Sequence, residues 1–169
     1  MESLTTRVAT VIDLDASIEV LREASNWLRG RGMPLWDAQQ FNVSTLAPLI
    51  QRRQLLVVEC ASEVVAAAYR FWEDDEFWPE RPSGEAAYLH KIAVRRAYAG
   101  RGIPKALIEW VAAESMSVGL KFIRLDCAPR PALLRIYESR GFVRVDEKHV
   151  GLHTVVRMEL PLPLGRGSV

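Results

Sequence analysis

The residues with the most evident chemical promise lie between Lys91 and Lys105, where Lys91, Arg95, Arg96, Arg101 and Lys105 stand without a single acid and Gly100 and Gly102 flank an arginine. A strand that ends in such a loop and then enters a helix presents outward-pointing backbone N–H groups at the positive end of the helix dipole, which is the physical recipe for holding phosphate. Glycine lets the backbone curl around the ligand, and arginine suits bidentate contact with phosphate oxygens. The loop is not a dinucleotide fingerprint, because Gly-x-Gly-x-x-Gly would need glycine at Lys105. The P-loop spacing Gly-x-x-x-x-Gly-Lys-Ser/Thr is absent as well. The expected ligand is therefore a phosphorylated cofactor held in some other way than by these two motifs.

Immediately upstream the charge reverses. Glu73, Asp74, Asp75, Glu76, Glu80 and Glu85 are opposed by Arg81 alone. Taken by itself such a run reads as a solvated hairpin loop. Cys60 and Cys127, with three scattered histidines, make neither a disulfide framework nor a zinc site, so no metal is expected and both cysteines read as reduced core thiols. Cys127 alternates with Ile123 and Leu125 and has no histidine beside it in sequence, which argues against a covalent nucleophile. His149 and His153 fall in the last hairpin and read as surface residues.

These residues need elements to carry them. Ala16 to Arg31 has a helical apolar stripe (Ile18, Leu21, Ala24, Leu28), with Asp15 as the expected N-cap and Gly30 and Gly32 as the stop. A second helix spans Val43 to Arg52, capped by Asn42 or Ser44. Leu55 to Cys60 and Val64 to Trp72 are two strands around Ala61-Ser62-Glu63, and a third strand runs from about Ala87 to Val94. A helix follows over Ile103 to Val118, stopped by Gly119. Then come a strand at Ile123 to Cys127, a helix from Pro131 to Arg140, and strands at Phe142 to Val145 and Thr154 to Leu160. The expected order is ααβββαβαββ, an α+β fold with one mixed central sheet.

At 169 residues the chain is sized for a single domain, residues 1–169, with its core at about 8–160 and a short tail at 161–169. Lys+Arg 22 against Asp+Glu 21 leaves a net charge of +1, which argues against a dedicated nucleic-acid binder. No apolar run approaches the ~18–20 residues of a bilayer span, and Met1-Glu2-Ser3-Leu4 does not open a secretory signal. The expected setting is the cytoplasm, with no membrane partner.

The segment Ala93-Val94-Arg95-Arg96-Ala97-Tyr98-Ala99-Gly100-Arg101-Gly102-Ile103-Pro104-Lys105-Ala106-Leu107 resembles the acetyl-coenzyme A signature of the GCN5-related N-acetyltransferase (GNAT) family. Ile123-Arg124-Leu125-Asp126-Cys127 is similar to that family's next strand, and Arg135-Ile136-Tyr137-Glu138-Ser139-Arg140-Gly141-Phe142 to its tyrosine helix followed by Gly-Phe. Trp27-Leu28 with Gly32-Met33-Pro34-Leu35-Trp36 resembles the first-helix region of bacterial members. The likeness spans about Val8 to Leu160 and shares the element order. It departs at Ala99, which lacks the usual polar side chain, at Pro104, which has no N–H to give, and at Arg130, near where relatives often carry an asparagine. Proline remains well suited to a first helical turn.

The resemblance implies acetyl-coenzyme A as co-substrate and a small-molecule amine as acceptor, with direct attack in a ternary complex; a homodimer is allowed. Ala99, Gly100, Arg101, Gly102, Ile103, Pro104 and Lys105 would cradle the pyrophosphate, and Arg95 and Arg96 would reach peripheral phosphates. Strand residues Ile92, Ala93 and Val94, splayed from the neighbouring strand, would pair with the pantetheine amides, with an N–H near Val94 stabilising the oxyanion. Arg130 would lie beside the cofactor arm. Tyr137 would give a proton to the departing thiolate. His90, which shares a strand face with Tyr88, is the candidate base, acting directly or through a water; it reads equally well as a hydrogen-bonded histidine with no catalytic duty. Trp36, Trp72 and Tyr88 are the expected acceptor contacts. Trp27 and Phe41 would join Trp36 in the roof, and Trp78 would join Trp72 in framing the acidic stretch; taken one by one, each tryptophan reads more simply as core packing. The alternative is a non-catalytic acyl-CoA-binding sensor of the same fold.

Overall fold

The computed structural model describes residues 2–163. The end of the expected tail, residues 164–169, lies outside them. The elements run β1 Leu4–Val8, a 3₁₀ turn Val11–Asp13, α1 Leu14–Gly30, a 3₁₀ turn Ala38–Gln40, α2 Val43–Gln51, β2 Leu55–Cys60 and β3 Glu63–Phe71. They continue with β4 Ala86–Val94, a 3₁₀ turn Arg96–Tyr98, α3 Ile103–Ser117, β5 Phe122–Cys127, α4 Pro131–Glu138, β6 Val143–Val150 and β7 His153–Pro161. The fold is α+β, with a mixed seven-stranded sheet ordered β1-β2-β3-β4-β5-β7-β6. None of the described helices is long and apolar enough to cross a membrane.

The expected order ααβββαβαββ is corrected by one strand at its front. β1 pairs antiparallel with β2 from Leu4↔Cys60 to Val8↔Leu56. Leu-Thr-Thr-Arg-Val carries polar residues at its three central positions and lies at the sheet edge, where no apolar alternation is demanded. The first helix also begins earlier than expected. Asp13, not Asp15, holds its N-cap position, and the Asp13 carboxylate turns back to accept from the Thr10 amide at 2.7 Å and from Arg7 at 2.7 and 2.9 Å. For α2 the expected cap is found: the Asn42 side chain accepts from the Thr45 amide at 3.2 Å.

The described chain divides into two compact units, residues 2–70 with 91–108, and residues 71–90 with 109–163. In the first, α1 and α2 bury Val20, Leu21 and Leu46 against Leu55, Val57 and Ala67 of the sheet. Each valine or leucine among them that is removed from water contributes about 1.5–3 kcal/mol. The β2–β3 hairpin turns through Ala61 and Ser62, both with positive φ (49° and 67°), the geometry that matches strand twist in a two-residue turn. In the second, Trp78, Ala86 and Tyr88 form a smaller core with Phe71, Phe77, Phe122 and Val145 packed on it.

β4 and β5 pair in parallel only from Ala86↔Phe122 to Leu89↔Leu125. Parallel neighbours need a crossover, and α3 provides it. Past Leu89 the ladder stops, as the expected splay requires, and Lys91 two residues on sits at φ 55°. A left-handed residue inside a strand turns the peptide groups out of regular register.

Candidate active site

The glycine-loop segment is built locally. After β4, Arg95 is extended, the 3₁₀ turn Arg96–Tyr98 follows, and Gly100 and Gly102 take positive φ (78° and 73°) before α3 begins at Ile103. A side chain at either glycine would meet open space, so it is backbone conformation rather than crowding that calls for glycine. The Gly102 carbonyl accepts from the Ala106 amide at 3.0 Å, the first bond of the helix. Among the described residues, no backbone carbonyl takes the amides of Gly100, Arg101, Gly102 or Ile103. These are the donors that a helix start leaves for an anion. Pro104 at the second helical position costs no intrahelical bond.

The flanking arginines differ from one another. Arg101 is exposed, lies 4.8 Å from the Tyr98 ring centroid and comes within 3.9 Å of Glu2. Arg95, expected to reach phosphate, is a strut instead: it donates to the Val64 carbonyl at 3.0 Å and meets Glu19 and Glu63 at 3.2 and 3.5 Å. Arg96 stacks 3.7 Å from the Trp27 ring centroid, and Arg31 approaches the same ring at 4.8 Å. Trp27 is thereby held by two guanidinium groups. Of the aromatics in the same unit that the sequence offers as acceptor contacts, Phe41 is fully buried, and Trp36 is half-buried, edge-on to Phe41 at 6.1 Å with the Lys91 ammonium 5.3 Å from its centroid. Ile92 and Val94 are half-buried on β4, and Ala93 is packed into the first unit's core.

The acidic stretch is solvated at Glu73, Asp75, Glu76 and Glu80, as expected of a loop, and the expectation is corrected at its other two acids. Asp74 is almost fully enclosed, its side chain 5% exposed, and Glu85 pairs with a buried arginine. Asp74 Oδ1 accepts from the amides of Phe77 and Glu76 at 2.9 and 3.2 Å, and its carbonyl accepts from the Trp78 amide at 3.0 Å. Asp74 Oδ2 lies 2.9 Å from His90 Nε2. Burial alone would push the Asp74 carboxyl up, but the bonds from His90, Phe77 and Glu76 outweigh it and hold the group below its ordinary value. On the other side of the imidazole, His90 Nδ1 is 3.4 Å from Asp126 Oδ1, and the rings of Phe71 and Phe77 lie 5.3 and 6.0 Å away.

A second cluster is built around two arginines. Arg124 is 1% exposed and bonds Glu159 and Glu85, each at 2.7 Å, and the Tyr88 hydroxyl at 3.1 Å. Arg157 bonds Asp146 and, at 2.9 Å, the Phe77 carbonyl, and pairs with Glu80 at 2.6 Å. The two guanidinium carbons lie 5.3 and 4.6 Å from the Trp78 ring centroid. Of the two readings of Trp78 the structure takes core packing over the acidic wall: the residue is 1% exposed. Tyr88 is buried with its hydroxyl committed to Arg124, whereas Trp72 is 39% exposed.

Tyr137 is half-buried on α4, edge-on to Phe142 at 5.7 Å, and burial pushes its phenol well above the ordinary value. It stays protonated through the physiological range, as a proton donor must. Cys127 is buried, its thiol pushed up to about 11 by burial, which leaves it a core thiol and not a nucleophile. Cys60 is likewise free and buried. Arg130 holds the N-cap position of α4, just before Pro131, and its amide bonds the Ala128 carbonyl at 2.7 Å. His149 and His153 are exposed as expected. Asp74 and Asp126 were missed by sequence reasoning. Asp126 sits at the polar phase of an alternating strand, and Asp74 is hidden in an acidic run; only pairing each with His90 would have raised them.

A strand, a left-handed glycine loop with open amides and a helix, in a sheet whose fourth and fifth strands part after Leu89, agree with what family comparison finds. The family profile described as Acetyltransferase (GNAT) family matches residues 21–142. The chain therefore belongs to the GNAT acetyltransferase family. It is 26% identical over 154 residues to the "Uncharacterized N-acetyltransferase YesJ" of Bacillus subtilis, with 83% of this chain and 82% of that protein covered. Among solved structures it is similar to a GNAT-family acetyltransferase from Listeria monocytogenes, with TM-score 0.79 and 22% identity over 94% of this chain and 95% of that one. It is also similar to the PaiA N-acetyltransferase of Thermoplasma acidophilum in complex with coenzyme A, with TM-score 0.75 and 18% identity over 94% and 99%.

Proposed function

We propose that the protein is an acetyl-coenzyme A-dependent N-acetyltransferase that acetylates a primary amine of a small molecule by direct attack on the thioester, in the cytoplasm. The observation that carries this reading is the run of open amides at Gly100, Arg101, Gly102 and Ile103, behind two glycines already in the left-handed conformation. They suit the pyrophosphate of the coenzyme, with Arg101 and Lys105 adding charge, and Ala99 and Pro104 completing the turn. Ile92, Ala93 and Val94 would pair with the pantetheine amides, with Arg130 beside the arm and an amide near Val94 meeting the oxyanion. The PaiA relative bound to coenzyme A supports this choice of ligand.

An alkyl amine arrives protonated, with a pKa near ~10, and must lose a proton before it attacks, while the departing thiolate gains from receiving one. Tyr137 would supply the second proton and His90, through a water, would take the first. Trp36 and Trp72 would contact the acceptor, a cationic amine being the class that aromatic faces and nearby carboxylates favour. Tyr88 in this reading is support for the strand that carries His90, since its hydroxyl is engaged. The test is release of free thiol from acetyl-coenzyme A over a panel of alkylamines, polyamines, amino acids and peptides. Tight coenzyme binding with no release over the whole panel would favour the second reading, a non-catalytic acyl-CoA sensor, to which the lost donor at Pro104 gives some support.

A further inference from the structure

We propose that Asp74 is a positioning residue that fixes the tautomer of His90, so that Nε2 carries the permanent proton and Nδ1 is the nitrogen that takes up a proton, beside Asp126. The inference rests on the reading of His90 as base and goes beyond it, because it says which nitrogen works and what holds it. The argument begins with valence. An ionised carboxylate can only accept, and Asp74 Oδ2 lies 2.9 Å from Nε2, a good hydrogen-bond distance. Nε2 must therefore be the donor. The remaining oxygen, Oδ1, is filled by the amides of Phe77 and Glu76. With two N–H donors on one oxygen and an imidazole on the other, the Asp74 side chain has one orientation.

The loop that carries Asp74 is pinned in turn. Arg157 donates to the Phe77 carbonyl, and the Trp78 amide closes on the Asp74 carbonyl, while the Trp78 ring stacks with the guanidinium groups of Arg124 and Arg157. An imidazole is only as well placed as its orienting partner, and a partner on an unanchored loop would not fix it. On the Nδ1 side the distance to Asp126 Oδ1 is 3.4 Å, longer than a good hydrogen bond but close enough for a carboxylate to stabilise positive charge on the ring. The groups that face the ring are thus Asp74 from the loop, Asp126 from β5 and the uncharged rings of Phe71 and Phe77. In the step itself a proton leaves the acceptor nitrogen through water and binds to the Nδ1 lone pair. The resulting imidazolium lies between two carboxylates, and Nε2–H remains on the ring throughout.

The experiment is long-range ¹H–¹⁵N correlation on protein labelled at histidine nitrogen, with the His90 signals assigned by their loss in His90→Gln. The wild-type protein should show the neutral His90 ring with its proton on Nε2, and Asp74→Asn should weaken that preference or reverse it. In the thiol-release assay Asp74→Asn should lower kcat by at least ~10-fold, since loss of an orienting carboxylate in a catalytic triad costs up to ~10⁴. KM for acetyl-coenzyme A should stay within about twofold. Asp75→Asn, an exposed change in the same loop, should alter neither. A neutral wild-type ring protonated on Nδ1 would overturn the proposal whatever the activity, and so would an Asp74→Asn enzyme with unchanged kcat. A correct tautomer in a protein that acetylates nothing would instead sink the transferase reading and leave the Asp74 contact standing. The wild-type spectrum decides even where a variant fails to fold.

Discussion

The glycine loop and the histidine cluster are built in opposite ways. The loop is made from eleven neighbouring residues, Arg95 to Lys105, and what it offers is backbone: open amides, two left-handed glycines and an exposed arginine. The cluster draws on residues far apart in the chain, since Asp74 and His90 are 16 apart and Arg157 and Phe77 are 80 apart, and what it offers is side chains enclosed by one another. A local, exposed device should lose ligand when altered and keep its fold. A distributed, buried one should lose its fold, or its chemistry, when a single member is removed.

The sharpest break of that contrast is at Arg124. Arg124→Met leaves Glu85 and Glu159 without their cation in a mostly enclosed site, and removing one partner of a buried ion pair costs about 3–5 kcal/mol. Urea unfolding should show this as a fall in midpoint with little change in slope; a loss under 1 kcal/mol would mean that the cluster is not a structural keystone. Next is Tyr137→Phe, which keeps the ring packed on Phe142 and removes only the hydroxyl, and should lower kcat about 100-fold while the melting temperature holds. Unchanged turnover would remove Tyr137 as the acid. Gly102→Val should raise the dissociation constant for coenzyme A by ~10-fold or more in calorimetry, because a side chain at φ 73° costs about 1–2 kcal/mol and shifts the adjoining amides.

Acid should separate the two kinds of charge. The Asp13 carboxyl is held low chiefly by its hydrogen bonds from Arg7, and that of Asp146 by those from Arg157. A folded-state value below the unfolded one means that the stabilisation is complete above the ordinary carboxyl range, near ~4, and fades as pH falls through the lowered folded values. Melting temperatures should thus be level from pH 7 to about 5 and drop on the way to 3, and Asp146→Asn should flatten part of that drop. The smallest effect is expected at Arg101, which is exposed. Arg101→Ala should weaken coenzyme binding by about threefold at low salt, and the difference should vanish at about 0.5 M salt, where the screening length falls below 5 Å.

Most of the loop was legible in sequence because its signal is local. Glycines two apart, a run of bases and the onset of an apolar helical stripe all fall within one window, and the structure adds only their φ values. The cluster was half legible. Period-two alternation puts His90 on β4 and Asp126 on β5, whereas Tyr137 is proposed only from the family resemblance of its neighbours Glu138 and Gly141-Phe142. Nothing in Glu73-Asp74-Asp75-Glu76 says which of four acids turns inward, because the choice is made by amides at Glu76 and Phe77 and by a histidine on another strand. For the same reason sequence leaves Trp78 open between framing the acidic stretch and packing in the core, and does not say what it packs on: its partners Arg124 and Arg157 come from β5 and β7. β1 escaped because an edge strand with three polar residues in a row carries no alternation.

Lys91, with its backbone at φ 55° in the middle of β4, has a consequence of its own. Only a few kinds of residue rest easily in that conformation, asparagine and glycine above all, and a β-branched one does not. The point at which β4 abandons regular pairing is therefore written into one position of the chain before any ligand arrives. Exchanging Lys91 for isoleucine would press the strand back toward the regular pleat, and exchanging it for glycine would relax it, so that a single codon sets how readily an outside chain of amides could lie alongside as though it were one more strand.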